Sequence, residues 1–106
     1  MKIKTSELKG VALDWAVAMC AGEEVSLIKG QLETRWTDDG WKPSTDWSQG
    51  GPIIEREGMS IGMVNEHWQA HLSEFHLFIE GPTPLIAAMR CFVASKLGDE
   101  VDVPDL

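Results

Sequence analysis

Residues 36–57 are the stretch that the rest of the chain is predicted to hold in place, and its centre, residues 42–57, reads KPSTDWSQGGPIIERE. Two prolines, a Gly-Gly pair and several small hydroxyl residues are expected to forbid a regular helix there. Three indoles stand in or beside the stretch: Trp36, Trp41 and Trp47. Long irregular segments of compact domains are usually functional or disordered, and aromatic content argues against disorder. The stretch is therefore predicted to be a long binding loop rich in Trp, Gly and Pro.

The predicted loop offers a ligand both stacking and hydrogen bonds. The Trp47 indole can stack on a base or on another planar group, and the two glycines let backbone N–H groups approach the ligand closely. The alternative is that the indoles cover the hydrophobic core beneath a structural loop. No phosphate-loop lysine follows the glycines, so hydrolysis of a nucleoside triphosphate gains no support. The predicted ligand-binding residues are Trp41, Ser44, Thr45, Asp46, Trp47, Gln49, Gly50, Gly51 and Arg90.

Two apolar helices are predicted on either side of this loop. Helical spacing of apolar residues over residues 11–20, followed by Gly22 as a C-terminal cap, predicts the first helix. Thr83 as N-cap and Pro84 at the first helical position predict the start of the second helix, which ends at Gly98. Both helices are apolar enough to pack against a sheet.

A β-hairpin is predicted between the loop and the second helix. Apolar residues alternate over residues 68–72 and 75–79, which indicates two half-buried strands joined by a two-residue tip. In this register His71 lies opposite His76, with His67 on the same face. Three histidines together resemble a metal site, but exposed histidines on the polar face of a hairpin are the simpler explanation. No metal site is predicted.

The predicted fold class is α+β, with a small antiparallel sheet packed against the two apolar helices and the long loop beside them. Residues 1–98 form the single predicted domain, and residues 99–106 form an acidic, frayed tail. Gly30 interrupts the apolar residues of segment 25–36, which predicts either one bulged strand or two short strands. Residues 37–40, TDDG, are predicted to follow as a turn.

Asp14 and Arg90 each stand as a charge among the apolar residues of a predicted helix. Charged side chains are rarely buried without a partner, so the two are predicted to pair with each other. In the alternative, Arg90 reaches a ligand anion or the Asp46 carboxylate near the start of the second helix. Asp46 and Glu55 are a further candidate pair of carboxylates for hydrolysis. No nucleophile motif accompanies them, so no catalytic residue is predicted.

The composition indicates an acidic, cytosolic protein of one domain. Nine basic and seventeen acidic residues among 106 give a formal charge of −8, which disfavours general nucleic-acid binding. No apolar run approaches the length of a membrane span and no cleavable signal is recognised, so no membrane association is predicted. Cys20 and Cys91 lack CxxC spacing and are predicted to be reduced core thiols. No cofactor is predicted.

Three blocks of the sequence carry a family resemblance. They are KTSEL with ALDWAVA at residues 4–8 and 12–18, PSTDWSQGGPIIE at residues 43–55 and GPTPLIAAMRC at residues 81–91. Together with residues 93–100, these blocks cover 44 of the 106 residues, and they resemble the NinX proteins found in the accessory regions of lambda-like phages. The resemblance implies a phage protein that acts inside an infected bacterium, and it supplies no activity and no catalytic residue.

The predicted function follows from the loop and from this resemblance. Accessory regions of such phages tend to hold genes that modify host processes or blunt host defences. We therefore expect the loop to bind a small planar and polar ligand, with a nucleotide-derived host defence signal as a candidate. The pocket is expected near a sheet end or at the subunit interface of a homo-oligomer. The alternative is an acidic inhibitor that binds a host protein through an exposed Trp patch. An enzyme acting on a nucleotide is the least favoured reading.

Overall fold

The computed structural model describes residues 1–35 and 40–106. Trp36 and the predicted turn residues Thr37, Asp38 and Asp39 lie outside the described residues. The elements in chain order are β1 (Lys2–Lys4), a first 3-10 turn (Thr5–Glu7), α1 (Gly10–Ala21), β2 (Ser26–Ile28), β3 (Gln31–Glu33), α2 (Trp47–Glu57), β4 (Ser60–Val64), β5 (His67–Leu72), a second 3-10 turn (Ser73–Phe75), β6 (Leu77–Gly81), α3 (Pro84–Leu97) and β7 (Glu100–Asp102). The predicted α+β class is confirmed, since small antiparallel sheets lie beside helices.

Helix α3 is buried on almost every side and forms the centre of the core. Thr83 caps it by accepting a hydrogen bond from the Ile86 N–H at 3.1 Å, and Pro84 takes the first helical position. Its buried apolar side chains are Leu85, Ala87, Ala88, Met89, Cys91, Phe92 and Val93. The helix packs against α1, α2 and the sheet of β4, β5 and β6. The second predicted helix and its cap are therefore confirmed.

Helix α1 lies against α3 and confirms the first predicted helix. Gly22 follows it in the left-handed conformation, with φ of 73°, and its N–H donates to the Ala18 carbonyl. Leu13, Ala16 and Val17 are buried in the same core as α3. Within residues 1–35 and 40–106, every helix falls short of the length and apolar character that a membrane crossing requires.

Strands β4, β5 and β6 form an antiparallel sheet whose inner face packs on α3. The predicted hairpin of β5 and β6 is confirmed, but its two-residue tip is wrong. Leu72 pairs with Leu77 rather than with Phe75, because the connection contains a 3-10 turn and His76 at φ of 49°. Ser-Glu is poorly suited to the positive φ angles of a two-residue turn, so the longer turn forms. The register shifts by two residues, which keeps the apolar side chains on the inner face.

The register shift separates the three histidines. His71 lies opposite Phe78 instead of His76, and the two rings stack with their centroids 4.1 Å apart. His67 pairs with Val64 of strand β4. In the part of the chain that the structure describes, no group of three His, Cys, Asp or Glu side chains is placed to hold a metal ion. The outer face of the sheet therefore carries an aromatic stack.

The second half of the stretch predicted as a long irregular loop is helix α2, so that prediction is wrong for residues 47–57. Asp46 caps the helix by accepting a hydrogen bond from the Ser48 N–H at 2.9 Å, and Gly58 ends it at φ of 68°. Pro52 lies inside α2, where it removes one intrahelical hydrogen bond. Burial of Ile53 in the core and the packing of α2 on α3 offset that loss. Tertiary contacts thus override the composition of the segment.

Two further strand pairs complete the fold. Strands β1 and β7 pair antiparallel, with Ile3 opposite Val101. The predicted frayed tail is wrong over this segment, because Val101 and Val103 are buried. Strands β2 and β3 pair through a turn at Lys29 and Gly30, both with positive φ. This hairpin confirms the prediction of two short strands over that of one bulged strand.

Candidate ligand pocket beside Trp47

The segment before α2 is anchored to α1 by Asp14. Asp14 as a residue is 5% exposed, and its carboxylate accepts a hydrogen bond from the Ser44 N–H at 2.9 Å. The Asp14 backbone carbonyl accepts the Trp41 indole N–H at 2.8 Å. The predicted ion pair between Asp14 and Arg90 is wrong, because backbone groups of neighbouring segments bind each of the two side chains instead. Both Trp41 and Ser44 therefore take part in holding this segment in place.

Burial changes the acidity of Asp14. Loss of solvation raises the pKa of its carboxyl from 3.8 to about 6, although the hydrogen bond from the Ser44 N–H acts in the opposite direction. The Ser44 hydroxyl, which lies close to the same carboxylate, also acts to lower this pKa. It is nevertheless buried without a hydrogen-bond partner among the described residues. Protonation of Asp14 therefore creates a hydrogen-bond donor beside an unpaired hydroxyl oxygen.

Gln49 uses both ends of its amide within the protein. Its Oε1 accepts the Lys42 N–H at 2.7 Å, and its Nε2 donates to the Gly40 carbonyl at 2.8 Å. The Trp41 side chain is half-buried and packs against the core. Gln49 and Trp41 were predicted to contact a ligand. Instead, the Gln49 side chain holds residues 40–42 against α2, and the Trp41 side chain holds them against α1.

The two glycines of α2 have different surroundings. A Cβ atom at Gly50 would overlap the Pro43 carbonyl oxygen and would lie 2.7 Å from Leu85 Cδ2. A Cβ atom at Gly51 would have only the Trp47 ring within 4 Å, at 3.9 Å. The absence of a side chain at Gly50 therefore allows α2 to pack closely on α3 and on the preceding segment, while Gly51 is not restricted in this way.

Trp47 borders a pocket between the start of α2 and the start of α3. The pocket has a volume of about 230 Å³, and the Trp47 side chain is 55% exposed beside it. Its lining residues are Ser44, Thr45, Trp47, Thr83, Pro84, Leu85 and Ile86. Sequence reasoning missed residues 83–86 as pocket residues. Thr83 and Pro84 signal a helix start, but no local signal shows that this helix start meets Trp47.

The pocket combines an aromatic surface with hydrogen-bond donors. Two helices begin here, and the first N–H groups of a helix have no intrahelical acceptor. Within the described residues, the capping side chains of Asp46 and Thr83 do not reach the N–H groups of Trp47 and Leu85. Hydrogen bonds from the Ser48 hydroxyl and N–H lower the pKa of Asp46, which keeps this cap negatively charged. The arrangement suits a ring that carries hydrogen-bond acceptors on its edge.

Arg90 and Glu55 lie apart from this pocket. Arg90 reaches the edge of β6, where its Nε donates to the Leu8 carbonyl at 2.7 Å and its Nη1 to the Glu80 carbonyl at 3.0 Å. Glu55 follows the Asp46 cap by nine residues on α2, which places it about 13 Å further along the helix axis. Asp46 and Glu55 are therefore not arranged as paired carboxylates for hydrolysis.

Comparison with known proteins identifies the family of the chain. A family model described as Bacteriophage P22, NinX matches residues 4–96. A comparison with curated proteins finds no similar sequence. The matched region includes α1, α2 and all of α3 except its last residue, together with every described residue that lines the Trp47 pocket. The resemblance seen in the sequence is thereby confirmed, and the chain belongs to the phage family described as Bacteriophage P22, NinX.

Proposed function

We propose that this phage protein binds a small, planar and polar ligand in the pocket beside Trp47. The exposed Trp47 indole at the pocket carries the proposal, because stacking of a base on an aromatic side chain contributes about 1–3 kcal/mol. The N–H groups of Trp47 and Leu85 supply donors for the edge of the ring, and the oxygen of the Thr45 hydroxyl, whose O–H donates to the Lys42 carbonyl at 3.5 Å, supplies an acceptor. Of the residues predicted from the sequence, Ser44, Thr45 and Trp47 line this pocket.

The volume of the pocket and the net charge of the protein limit which classes of ligand are proposed. A volume of about 230 Å³ lies below the range of about 300–1,000 Å³ that is usual for sites enclosing drug-sized ligands. The pocket is therefore proposed to hold one ring, such as a nucleobase, while the rest of the ligand lies along the surface. The formal charge of −8 disfavours ligands that carry several phosphates.

The family supports a role inside the infected bacterium. We propose the bacterial cytoplasm as the place of action and a nucleotide-derived host defence signal as the ligand. In this proposal the protein lowers the free concentration of the signal by binding it, a task that requires stoichiometric amounts of protein and no catalytic residue. Native mass spectrometry of protein purified gently from infected cells would identify a bound ligand, its stoichiometry and the number of subunits.

Replacing Trp47 with alanine is expected to weaken ligand binding about 10- to 100-fold, because the stacking energy is lost. Isothermal titration with the ligand released from purified protein, and with a panel of nucleosides and cyclic mononucleotides, measures this loss. Phe75→Ala is the matched control, since it removes another exposed aromatic ring, which is 49% exposed, outside the pocket. An unchanged affinity in a folded Trp47→Ala protein would contradict the stacking role.

An acidic inhibitor of a host protein is the alternative proposal. Two exposed apolar side chains at the end of β4, Met63 and Val64, favour it, because exposed apolar side chains together with a strong net charge suit a protein interface. Recovery of one host polypeptide in a fixed ratio, lost in a Met63→Ser and Val64→Ser double variant, would favour this alternative. Recovery of a small molecule that is lost with Trp47→Ala would favour the pocket.

A further inference from the structure

A second cavity lies at the edge of β6. It is an open groove of about 610 Å³, to which the first 3-10 turn contributes Ser6, strand β5 contributes His67 and Gln69, and α3 contributes Arg90. Residues 78–82 form the remaining wall. The groove shares no lining residue with the pocket beside Trp47, so the two cavities are separate sites.

Arg90 brings an incompletely compensated positive charge to this groove. Its side chain is only 9% exposed, and it forms no ion pair with a carboxylate of the described residues. A guanidinium has five N–H donors, and Arg90 directs two of them to the carbonyls of Leu8 and Glu80, so that three remain without an acceptor among the described residues. The Glu7 carboxylate favours the charged form from a distance, but burial still lowers the pKa of Arg90 below its ordinary value. An anionic ligand would offset the cost of burying this charge.

The surroundings of Arg90 indicate which kind of anion the groove accepts. The Ser6 hydroxyl and the Gln69 amide are hydrogen-bond donors in the same groove. The Phe78 ring lines the groove and stacks on His71 through one face, while the side chain as a whole is 57% exposed. The other face of the ring is therefore open to a second planar group.

We propose that the groove binds a small oxyanion, a phosphate or a carboxylate, attached to a planar ring. The oxyanion accepts hydrogen bonds from Arg90 and Ser6, and the ring lies against Phe78. The Glu80 side chain lies on the same strand as Phe78 and repels anions. A ligand with one oxyanion group therefore binds in preference to a polyphosphate. This site is independent of the proposed pocket beside Trp47.

Nuclear magnetic resonance titrations of the ¹⁵N-labelled protein test this proposal at the level of single residues. The probes are inorganic phosphate, phenyl phosphate and benzoate at constant ionic strength. We expect the Arg90 Nε–H signal and the backbone signals of Ser6, Gln69 and Gly81 to shift with phenyl phosphate and with benzoate, and the Trp47 signals to stay in place. The relative affinities of these two probes identify phosphate or carboxylate as the preferred group. Absence of localised shifts at the groove would overturn the proposal.

Variants separate binding at the groove from its structural role. Ser6→Ala is expected to weaken binding of phenyl phosphate about tenfold, because a hydrogen bond to a charged group is lost. Phe78→Leu is expected to abolish the preference for phenyl phosphate over inorganic phosphate. Arg90→Lys keeps the charge without the planar guanidinium and should also weaken binding. If the Arg90→Lys protein does not fold, Ser6→Ala and Phe78→Leu still test the proposal. Trp47→Ala should bind the probes normally, so failure of this proposal is distinguishable from failure of the proposed function. Unchanged binding in both Ser6→Ala and Phe78→Leu would overturn the proposal.

Discussion

Replacing Gly50 with alanine is expected to lower the free energy of unfolding by about 2 kcal/mol. The new Cβ atom would overlap the Pro43 carbonyl oxygen, which belongs to the backbone and cannot rotate away, and would press on Leu85 at the start of α3. Overpacking of this kind costs about 1–3 kcal/mol, and the upper end applies because a backbone atom must move. The higher helix propensity of alanine returns about 1 kcal/mol of that loss.

The same substitution at Gly51 is expected to raise the free energy of unfolding, which makes it a matched control. Its Cβ atom would meet only the Trp47 ring at an ordinary contact distance of 3.9 Å. Helix propensity and the reduced entropy of the unfolded chain then stabilise the protein by about 0.5–1 kcal/mol. Urea unfolding of the wild type and both variants measures the difference. Equal destabilisation by the two substitutions would show that Gly50 is not in closer contact with Pro43 and Leu85 than Gly51 is with its own neighbours.

Stability is expected to fall as the pH rises from about 4 to about 6, because of Asp14. Its pKa is raised from 3.8 to about 6 in the folded protein, so the folded state binds more protons than the unfolded state across this interval. The stabilisation is fully present below the unfolded pKa and is lost as the pH passes the folded pKa. A shift of this size corresponds to about 3 kcal/mol.

Replacing Asp14 with asparagine should remove this pH dependence. Asparagine retains an oxygen that can accept the Ser44 N–H, and it avoids burial of a negative charge. We expect the two proteins to be equally stable near pH 3 and the variant to be more stable by up to about 3 kcal/mol near pH 8. Thermal unfolding as a function of pH gives the comparison, and Asp105→Asn, at an exposed position, serves as control. A variant less stable than the wild type at pH 8 would show that the Asp14 carboxylate stabilises the fold on balance.

Helices α1 and α3 could be predicted from the sequence because their ends carry local signals. Thr83 and Pro84 start α3, and Gly22 ends α1 in the left-handed conformation that glycine adopts readily. Strands β5 and β6 were predicted because their apolar residues alternate. Strand β4 was missed, since Gly62 weakens its alternating pattern and since Glu66, which follows Asn65 with a positive φ, is not a usual residue for such a turn.

Helix α2 shows why composition misleads in this chain. Gly50, Gly51 and Pro52 disfavour a helix when they are considered alone. The cap at Asp46 is a local helix signal. Formation of the helix after this cap also depends on the contact between Gly50 and Leu85, which exists only in the folded protein. Helix propensity summed over neighbouring residues does not include the free energy of that contact.

The candidate site was predictable only in part for a related reason. Trp47 and Thr45 do line a pocket, as an exposed aromatic residue beside polar residues suggested. Gln49 looked equally suited to a ligand, yet its amide binds backbone groups of Gly40 and Lys42 that the fold brings within reach. Ser44 lines the pocket as well, while its backbone N–H is held by the Asp14 carboxylate. Arg90 is separated from Trp47 because each lies in a different cavity of the folded chain. Residue types thus indicated the chemistry, while the tertiary structure decided which side chains remain free.

The central position of α3 has a consequence for synthesis on the ribosome. Helices α1 and α2 and the sheet of β4, β5 and β6 all pack on α3, although this helix consists of residues 84–97. Every other large element therefore leaves the ribosome before the helix that covers its apolar face. Nascent chains that end before residue 84 are expected to be bound by chaperones and cut by proteases, and the native core can close only after α3 has emerged.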